Sequence, residues 1–562
     1  MTKRIKRLSK ISDVFPVLLF VACWGWLIAL TYYTSGNILD ADASNVLVLS
    51  NFLAKENAIM STGWRYYTEL HVINMQLVYS FFFRLFQSWR LVRFLGTVTL
   101  QAILVASYWF VCKQANVSRK AFFYSATFLL LPFSVAFARI VLLHGHYTFH
   151  ISLGFLLIGL LIKLSNTRVQ KKAIYYTSLT LFFVLCFLTG TNGMRQLYIS
   201  LFPAFLIGIF QYIRSDAFLP IAKAERTGKT PILRELYQRA IASKEGRALL
   251  LITLGVGVNL IGIATNLLFL RRLFGFSTYY SLKTIAPQPG ALNELINDLL
   301  ELFGYRDGAR VFSLEGVCSL LAILAFALVA GVSVWQFFSR RKEGDLEKRF
   351  VASWFFSAMM FESLVFLITA NYSIHYYTPV IVLVAFLVAV LVDAYPTHSI
   401  RLTRICAGVI MLSSLVSAVV TTNFLVNKPE QYVTQYDGLS YTNINLVSQI
   451  RPAAEYLEEH DFTFGYAFYW DSGVITELTD GKVEVCAVVE LEKLTYSYAN
   501  TKKAYWEPDY HQGKTFALFE KDDESWKKYP IFEGGIKVFS DDYFEIYEYP
   551  APLPFEKSDI RE

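Results

Sequence analysis

The chain has 562 residues, of which 54% are hydrophobic and 16% aromatic, with a formal net charge of +7 and a mean hydropathy of +0.40. Soluble domains contain about 45–50% apolar residues on a count that includes glycine, so this composition excludes a soluble globule. Repeated apolar runs of about twenty residues indicate a polytopic helical membrane protein.

The apolar runs predict eleven membrane-spanning helices. Their approximate bounds are 14–34, 91–112, 119–138, 147–164, 173–189, 197–213, 247–270, 313–338, 350–370, 376–394 and 402–424. With the N-terminus in the cytoplasm, the cytoplasmic segments hold 27 Lys and Arg residues. The outer loops before the tail hold 12, counting Arg93 at the mouth of the second span. Because basic loops stay on the cytoplasmic side, this bias predicts a multi-pass plasma-membrane protein with an extracytoplasmic tail. The basic start leads into a span long enough to stay, which predicts no cleaved signal peptide.

A pair of acids opens the long first outer loop, residues 35–90. Asp40 and Asp42 are two residues apart, where neighbouring Ser and Asn side chains already supply polarity. Ionisable groups at a membrane rim that face an enclosed site are functional candidates, so we predict a site here. The alternative is that Asp42 or Ser44 only caps the next helix. We favour Asp40 as the catalytic base because it precedes that helix and is freer to face the cavity, whereas Asp42 lies nearer a capping position.

Two short helices are predicted in the rest of this loop. Residues 46–54 form the first. Residues 71–86 are apolar but interrupted by Asn74, Gln76 and Arg84, which predicts a helix lying in the membrane interface. The alternative is a twelfth span, which is disfavoured because the segment is short and because it would reverse the orientation of every later span.

The other outer loops carry charged, histidine and aromatic side chains. They supply Arg139, His144, His146, Tyr147 and His150 before the fourth span, Arg195 in a glycine-rich turn, and His375 and Tyr376 before the tenth span. Because Arg195 is the only charge in the turn 189–196, we predict that it contacts an anionic group. A further loop, 271–312, contains a predicted amphipathic helix at 291–303.

The tail has the composition of a small acidic domain. We divide the chain into a membrane domain, 1–427, and an extracytoplasmic α/β domain, 428–562, which holds 13 Lys and Arg against 26 Asp and Glu. The predicted tail elements are helices at 450–460 and 471–478 and strands at 462–470, 483–489, 515–520, 536–539 and 543–549. Asp471 is the expected cap of the second helix. A hairpin that turns at Asp480-Gly481 is the alternative for the first two strands. The six cysteines lack the spacing of a disulfide framework or a metal motif.

The predicted outer face collects acids, cations and histidines. They are Asp40, Asp42 and Glu69; Arg65, Arg84, Arg139 and Arg195; and His71, His144, His146 and His375, with Tyr376 beside the last. Carboxylates suit a general base or the ligands of a hard divalent cation such as Mg²⁺ or Mn²⁺. Arginine suits phosphate because its planar fork makes paired charge-assisted bonds. The sequence therefore predicts a site for a lipid-linked phosphate donor, in which an acid activates an acceptor hydroxyl.

An acidic pair after the first span, a long first outer loop, about eleven spans and an outer α/β domain resemble the GT-C superfamily of integral-membrane glycosyltransferases. Protein O-mannosyltransferases and the lipid A aminoarabinose transferase belong to this group. The resemblance implies a mostly α, GT-C-like membrane domain and a polyprenyl-phosphate sugar donor. It also implies a glycan, lipid or protein acceptor and membrane lipids as partners, and no nucleic acid.

The resemblance assigns the catalytic base or metal ligand to Asp40 or Asp42. Many relatives have adjacent Asp and Glu residues instead, so metal dependence stays open. Such enzymes often hold donor phosphate with an Arg-Tyr-x-x-Pro-like segment. The matching stretch here is His375-Tyr376-Tyr377-Thr378-Pro379, in which His replaces Arg. This departure moves the expected phosphate contact toward Arg195 and Arg139.

Two other functions share many of these features. A flippase or transporter of lipid-linked oligosaccharide would also use outer arginines and many spans, together with internal repeats or polar groups deep within helices. No clear repeat is evident, and the spans between 313 and 424 carry little charge beyond Glu362 and Asp393. A polysaccharide ligase or polymerase would use a related donor. The sequence favours a glycosyltransferase.

Overall fold

The computed structural model describes most of the chain. The described residues are 2–67, 69–166, 171–215, 238, 241–277, 290–338, 346–368, 374–393, 400–430, 444–490, 494–497, 499–507 and 509–555. The helices of eight or more residues are α1 (Thr2–Asn37), α2 (Ala41–Lys55), α3 (Gln76–Phe83), α4 (Trp89–Gln114), α5 (Arg119–Leu130), α6 (Thr148–Ser165), α7 (Lys172–Asn192), α8 (Phe202–Ile213), α9 (Lys244–Thr265), α10 (Ala291–Leu302), α11 (Leu314–Phe338), α12 (Leu346–Ile368), α13 (Val384–Val392), α14 (Ile400–Asn427), α15 (Val447–Glu459) and α16 (Tyr469–Leu478). The strands are β1 (Ile38–Asp40), β2 (Trp64–Tyr67), β3 (Phe276–Ser277), β4 (Ile444–Leu446), β5 (Phe464–Phe468), β6 (Glu484–Glu490), β7 (Leu494–Tyr496), β8 (Thr501–Lys502), β9 (Thr515–Glu520), β10 (Ile536–Ser540) and β11 (Phe544–Tyr549).

The membrane part is a helical bundle. Within the described residues, nine helices are long and apolar enough to cross a membrane, and each falls on one of the predicted spans. A shorter apolar helix, Leu197–Ile213, occupies the predicted span at 197–213. The remaining predicted span, 119–138, coincides with a bent helix pair. The chain is therefore a mostly helical, multi-pass membrane protein, as predicted.

The bent pair corrects the prediction of one continuous helix at 119–138. α5 and the segment Val135–Leu143 meet at an angle of 96°. Pro132 disfavours helical geometry at the residue before it, and Leu131 has an extended ψ of 128°. Ser134 then caps the next segment with its hydroxyl. The sequence prediction missed the bend because it counted apolar residues and gave no weight to the proline.

The first loop contains both predicted helices. α2 covers the predicted 46–54, and α3 lies within the predicted 71–86. α3 has eight residues, far fewer than the roughly twenty that a span needs, so the alternative of a twelfth span is wrong. Its location in the membrane interface stays a prediction. The amphipathic helix predicted at 291–303 is α10.

The tail is a six-stranded mixed sheet with the strand order β10-β11-β9-β5-β6-β7. The predicted strands correspond to β5, β6, β9, β10 and β11. β5 and β6 are parallel, and α16 connects them, so the hairpin alternative at Asp480-Gly481 is wrong. Asp471 lies in the first turn of α16, whose N-cap is Phe468, which corrects the predicted cap. The domain division at 427/428 stays a prediction, although α14 ends at Asn427.

Two small sheets join the first loop to the tail. β1, directly after the first span, pairs antiparallel with β4, which places Asp40 opposite Ile444. β2 of the first loop lies between β3 and β8 in a three-stranded sheet. β8 belongs to the tail and puts Thr501 opposite Arg65. These pairings hold the tail directly against the segment that carries the acid pair.

Candidate active site

Asp40 caps α2. Its backbone is extended, with φ −108° and ψ 125°, because β1 continues to this residue, and its Oδ1 accepts a hydrogen bond from the Ala43 amide at 3.0 Å. The alternative in which Asp42 or Ser44 caps this helix is therefore wrong. The helix begins two residues earlier than a cap at Asp42 requires, because β1, held in place by its pairing with β4, ends at Asp40 and the helix starts directly after it.

Asp40 is also the centre of a buried ion cluster. Arg139, four residues past the start of the segment that follows the Pro132 bend, donates to Oδ2 from Nε at 2.7 Å and from Nη2 at 2.7 Å. His146 Nε2 lies 3.1 Å from Oδ1. The carboxylate has no exposed surface. Burial alone would raise its pKa, but the charges of Arg139 and His146 hold the pKa well below its usual range.

Asp42 has different surroundings. It lies in the first turn of α2 and lines a cavity. Its Oδ1 accepts a hydrogen bond from the Tyr469 hydroxyl of the tail at 3.0 Å. Burial, and then the negative charge of Asp40, raise the pKa of Asp42 above its ordinary value. Two carboxylates whose pKa values are pushed apart are the usual basis for separate acid, base and electrostatic roles.

A second ion cluster forms the opposite part of the site. Glu69 pairs with the Arg195 guanidinium, and its Oε2 lies 3.0 Å from His150 Nε2. Arg195 also stacks over the Tyr147 ring, with its Cζ 4.3 Å from the ring centre. Burial would raise the pKa of Glu69, but the charges of Arg195 and His150 keep it well below the usual range. The buried Glu69 carboxylate therefore holds the Arg195 guanidinium in position.

The segment that carries His71 is held in an unusual conformation. His71 has a φ of 53°, in the left-handed region that few residues other than glycine adopt. The Gln76 side-chain amide donates to its carbonyl oxygen. Asn192, at the end of α7, donates to the Ile73 carbonyl at 2.7 Å and accepts from the Ile73 amide at 3.1 Å. Backbone strain that is fixed by surrounding contacts is common at functional sites.

The two clusters enclose a cavity of about 210 Å³. The residues that line it are Asp42, Val46, Tyr67, Glu69, His71, Asn74, Met75, Arg139, Ile140, His146, Tyr147, His150, Arg195, His375, Tyr376 and Asn500. They come from the first loop, the segment after the Pro132 bend, the α7–α8 connection, the turn before α13 and the tail. Chain segments distant in sequence therefore meet at one polar site.

Most of the predicted site residues lie in this cavity wall. Eight do: Asp42, Glu69, His71, Arg139, His146, Arg195, His375 and Tyr376. Asp40 stands behind the wall, bonded to Arg139 and His146. Their catalytic and substrate-binding roles stay predictions.

Besides Asp40, three predicted residues lie outside the cavity lining. Arg65 is buried on β2 beside the tail, His144 is buried with its ring centre 6.4 Å from that of His146, and Arg84 follows the C-terminal end of α3. Arg65 therefore contributes to the joint between loop and tail. His144 packs behind the cavity wall.

Two histidines act as neutral groups. Burial lowers the pKa of His71 to about 4 and that of His144 to about 3. Both rings are therefore uncharged at pH 7. His71 contributes hydrogen bonding to the cavity wall rather than positive charge for an anionic ligand.

The described side chains at the site offer little room for a divalent cation. Among the described residues, no group of three or more His, Cys, Asp or Glu side chains is arranged to hold a metal ion. Asp40 already binds Arg139, His146 and a backbone amide, and Asp42 accepts from Tyr469. The Mg²⁺ or Mn²⁺ expected from the sequence stays a prediction.

Several residues of the site were absent from the predicted set. His150 and Tyr147 belong to a stretch whose polarity was evident in the sequence, and Asn74 had been noted only as an interruption of an apolar segment. Asn500 and Tyr469 come from the tail, and Tyr469 is 427 positions from its partner Asp42. No local pattern indicates such a contact, because only the fold brings the two segments together.

The helical bundle, the acid pair after the first span and the α/β tail together define the architecture of this polytopic membrane protein. No protein-family model and no curated protein sequence matches the chain. Among solved structures, it is similar to ArnT from Cupriavidus metallidurans bound to undecaprenyl phosphate, with a TM-score of 0.51 and 9% identity over 95% of this chain and 98% of that one. The apo oligosaccharyltransferase of Archaeoglobus fulgidus aligns with a TM-score of 0.42 and 13% identity, over 84% of this chain and 64% of the other.

Proposed function

We propose that this protein is an integral-membrane glycosyltransferase, which moves a sugar from a polyprenyl-phosphate donor to a hydroxyl of a glycan, lipid or protein acceptor. The observation that carries the proposal is the shared cavity of Asp42 and Arg195. The proposed base is Asp42 and not Asp40, which the sequence favours. Asp42 lines the cavity and has a raised pKa, which suits a general base, whereas Asp40 is bonded to Arg139 and His146. Arg195 is a cation suited to phosphate. ArnT, whose fold this chain shares, is bound to undecaprenyl phosphate in its structure, which supports the same donor class.

Arg195 is the better candidate for the phosphate contact. Its side chain is 24% exposed, whereas that of Arg139 is 5% exposed. Arg139 makes two bonds to Asp40 and serves to hold that acid in its ionised form. Arg195 keeps part of its guanidinium toward the cavity while Glu69 and Tyr147 fix its direction.

The proposed reaction uses these groups in one transfer step. The acceptor oxygen bonds to the anomeric carbon of the sugar, and the bond from that carbon to the phosphate oxygen breaks. The electron pair of the broken bond leaves with the polyprenyl phosphate, where Arg195 stabilises the developing negative charge. Asp42 takes the proton of the acceptor hydroxyl. The products are the glycosylated acceptor and free polyprenyl phosphate.

The test is sugar transfer by purified protein in liposomes. Undecaprenyl-phosphate monosaccharides labelled in the sugar are offered singly, with envelope material from host cells that lack the protein as acceptor. We expect labelled acceptor and free undecaprenyl phosphate in equal amounts, both lost in Asp42→Asn. Movement of intact donor between leaflets, without release of undecaprenyl phosphate, would identify a transporter instead.

We further propose that the cavity opens on the extracytoplasmic side, as the distribution of basic residues predicts. The described cysteines are all buried, so an introduced cysteine can be labelled over a low background. Glu524 of the tail is a suitable position because its side chain is 72% exposed. Glu524→Cys should react with an impermeant maleimide added to intact cells. Reaction only after the cells are opened would reverse the orientation.

A further inference from the structure

The tail packs against the site along several independent contacts. β4 pairs with β1, the strand that ends at Asp40. Arg93 of α4 forms a buried ion pair with Glu477 of α16 and donates to the Ser44 hydroxyl at 3.0 Å. Asp480, just after α16, accepts from the Trp89 amide at 2.7 Å. The C-terminal end of α16 is therefore fixed relative to α2 and α4.

The packing of α16 on α2 leaves no room for a side chain at its closest point. A Cβ atom at Gly473 would lie 2.6 Å from the Asn45 side-chain oxygen and 3.1 Å from the Asn45 backbone nitrogen. This close approach brings the first residue of α16, Tyr469, to the first turn of α2. The joint therefore determines where the Tyr469 hydroxyl lies.

A chain of hydrogen bonds runs from the tail to the acid. The Asn500 side-chain amide donates to the Tyr469 hydroxyl at 3.2 Å, and the Tyr469 hydroxyl donates to Asp42 Oδ1 at 3.0 Å. Asn500 itself lines the cavity. It has a φ of 44°, which is costly for most residues and tolerated best by glycine, asparagine and aspartate. The fold thus directs this amide toward the site through a backbone position with narrow residue tolerance.

We propose that Tyr469 and Asn500 of the tail are positioning residues for the transfer reaction: Asn500 orients the Tyr469 hydroxyl, and Tyr469 orients the Asp42 carboxylate toward the acceptor. The inference rests on the proposed function of Asp42. Other charged or titratable groups that act on Asp42 include Asp40 from its own segment and Arg139 and His146 from the segment after the Pro132 bend. The tail contributes an uncharged hydrogen-bond donor, the Tyr469 hydroxyl, so the site is incomplete without the tail.

A double-mutant cycle tests whether Tyr469 acts through Asp42. Tyr469→Phe, Asp42→Asn and the double variant are compared in liposomes, with the undecaprenyl-phosphate sugar that supports transfer. Hydrogen bonds to charged groups predict a loss of about 10-fold to 100-fold in kcat for Tyr469→Phe, with the KM for donor unchanged. In the Asp42→Asn background the same substitution should have no further effect, because the residue it acts on has already been replaced.

The matched control is Tyr549→Phe in the same domain. The Tyr549 hydroxyl is buried and donates to the Phe532 carbonyl at 2.9 Å, and neither residue lines the cavity. The Tyr549→Phe variant loses a comparable hydrogen bond, so its unfolding midpoint should fall by the same amount as that of Tyr469→Phe. Its kcat should not change. Asn500→Gly is a second variant, because glycine tolerates the left-handed backbone at this position. It should lower kcat less than Tyr469→Phe does.

The outcomes separate this inference from the proposed function. Wild-type kcat in Tyr469→Phe and Asn500→Gly would overturn the positioning role. So would a double variant in which the fold-losses of Tyr469→Phe and Asp42→Asn multiply. Either result would leave the proposed glycosyltransferase function intact. Wild-type kcat in Asp42→Asn would instead overturn the proposed base, and the positioning role with it. A loss of kcat in Tyr549→Phe equal to that in Tyr469→Phe would also overturn the inference, because destabilisation of the tail would then account for both.

Discussion

Arg93 of α4 and Glu477 of α16 form an ion pair in which the two side chains are only 2% and 4% exposed. It joins the membrane bundle to the tail next to the acid pair. Two charges removed from water are stable together, but either one alone is left buried without compensation. The pair therefore makes the docking of the tail sensitive to the loss of a single charge.

We expect Arg93→Ala to destabilise the protein by about 3–5 kcal/mol, because it leaves the Glu477 carboxylate buried and unpaired. The double variant Arg93→Met/Glu477→Leu should recover most of this loss, since it removes both charges and restores apolar packing. Denaturant or thermal unfolding of the purified protein measures the effect. Lys527→Ala, at the exposed pair with Glu524, is the control and should leave the midpoint unchanged. A double variant less stable than the single one would contradict the argument.

The two acids should respond differently to the same substitution. Asp40→Asn retains a capping side chain but removes the charge that compensates Arg139, so we expect a loss of stability of about 3–5 kcal/mol. Asp42→Asn should keep the unfolding midpoint and lower turnover by about 10²–10⁴-fold, because an amide cannot accept the proton. Parallel measurement of unfolding and transfer separates the two. The assignment of the base to Asp42 fails if Asp42→Asn transfers at the wild-type rate in a folded protein.

The predicted phosphate contact of Arg195 depends on the shape of its side chain as well as its charge. Arg195→Lys keeps the charge but loses the planar fork, so we expect the KM for donor to rise by about 10-fold, and further in Arg195→Ala. A charge-assisted hydrogen bond contributes about 1.5–3 kcal/mol, which supports this size of effect. Binding of undecaprenyl phosphate alone gives an independent measurement. Unchanged affinity in both variants would remove Arg195 from the donor site.

The sequence predicts the membrane bundle well because an apolar run of about twenty residues needs only its own composition to be recognised. It also predicts that acids, arginines and histidines meet near the first loop, and most of these line one cavity. The cap of α2 was misplaced because the start of that helix depends on β4, whose register partner for Asp40 is Ile444. β1, β2, β3 and β8 have two to four residues each, too few for a periodic pattern. Because the sequence does not reveal these strands, it gives no sign of the contact between Tyr469 and Asp42.

Metal dependence can be decided by chelation. Because the described residues provide no group of three suitable ligands, and Asp40 is held by Arg139 and His146, we expect transfer to continue in EDTA. The rate before and after addition of EDTA, and then of excess Mg²⁺ or Mn²⁺, is the measurement. A rate abolished by EDTA and restored by either ion would instead support the metal-ligand role that the sequence predicts for Asp40 and Asp42.

The pH dependence of transfer should report on Asp42. A base acts only when deprotonated, so kcat/KM rises with pH through its pKa in the free enzyme. An ordinary aspartate has a pKa of about 3.9, and burial, followed by the charge of Asp40, raises that of Asp42. The acidic limb should therefore lie at a higher pH than an ordinary carboxylate gives. His71, with a pKa lowered to about 4, stays neutral from pH 6 upward and adds no limb near neutrality. The measurement is kcat/KM across the acidic range in wild-type and Asp42→Asn protein, with stability checked at each pH. The pH profile of the residual rate in Asp42→Asn should lack this acidic limb. If the variant keeps a limb at the same pH, that limb belongs to another group.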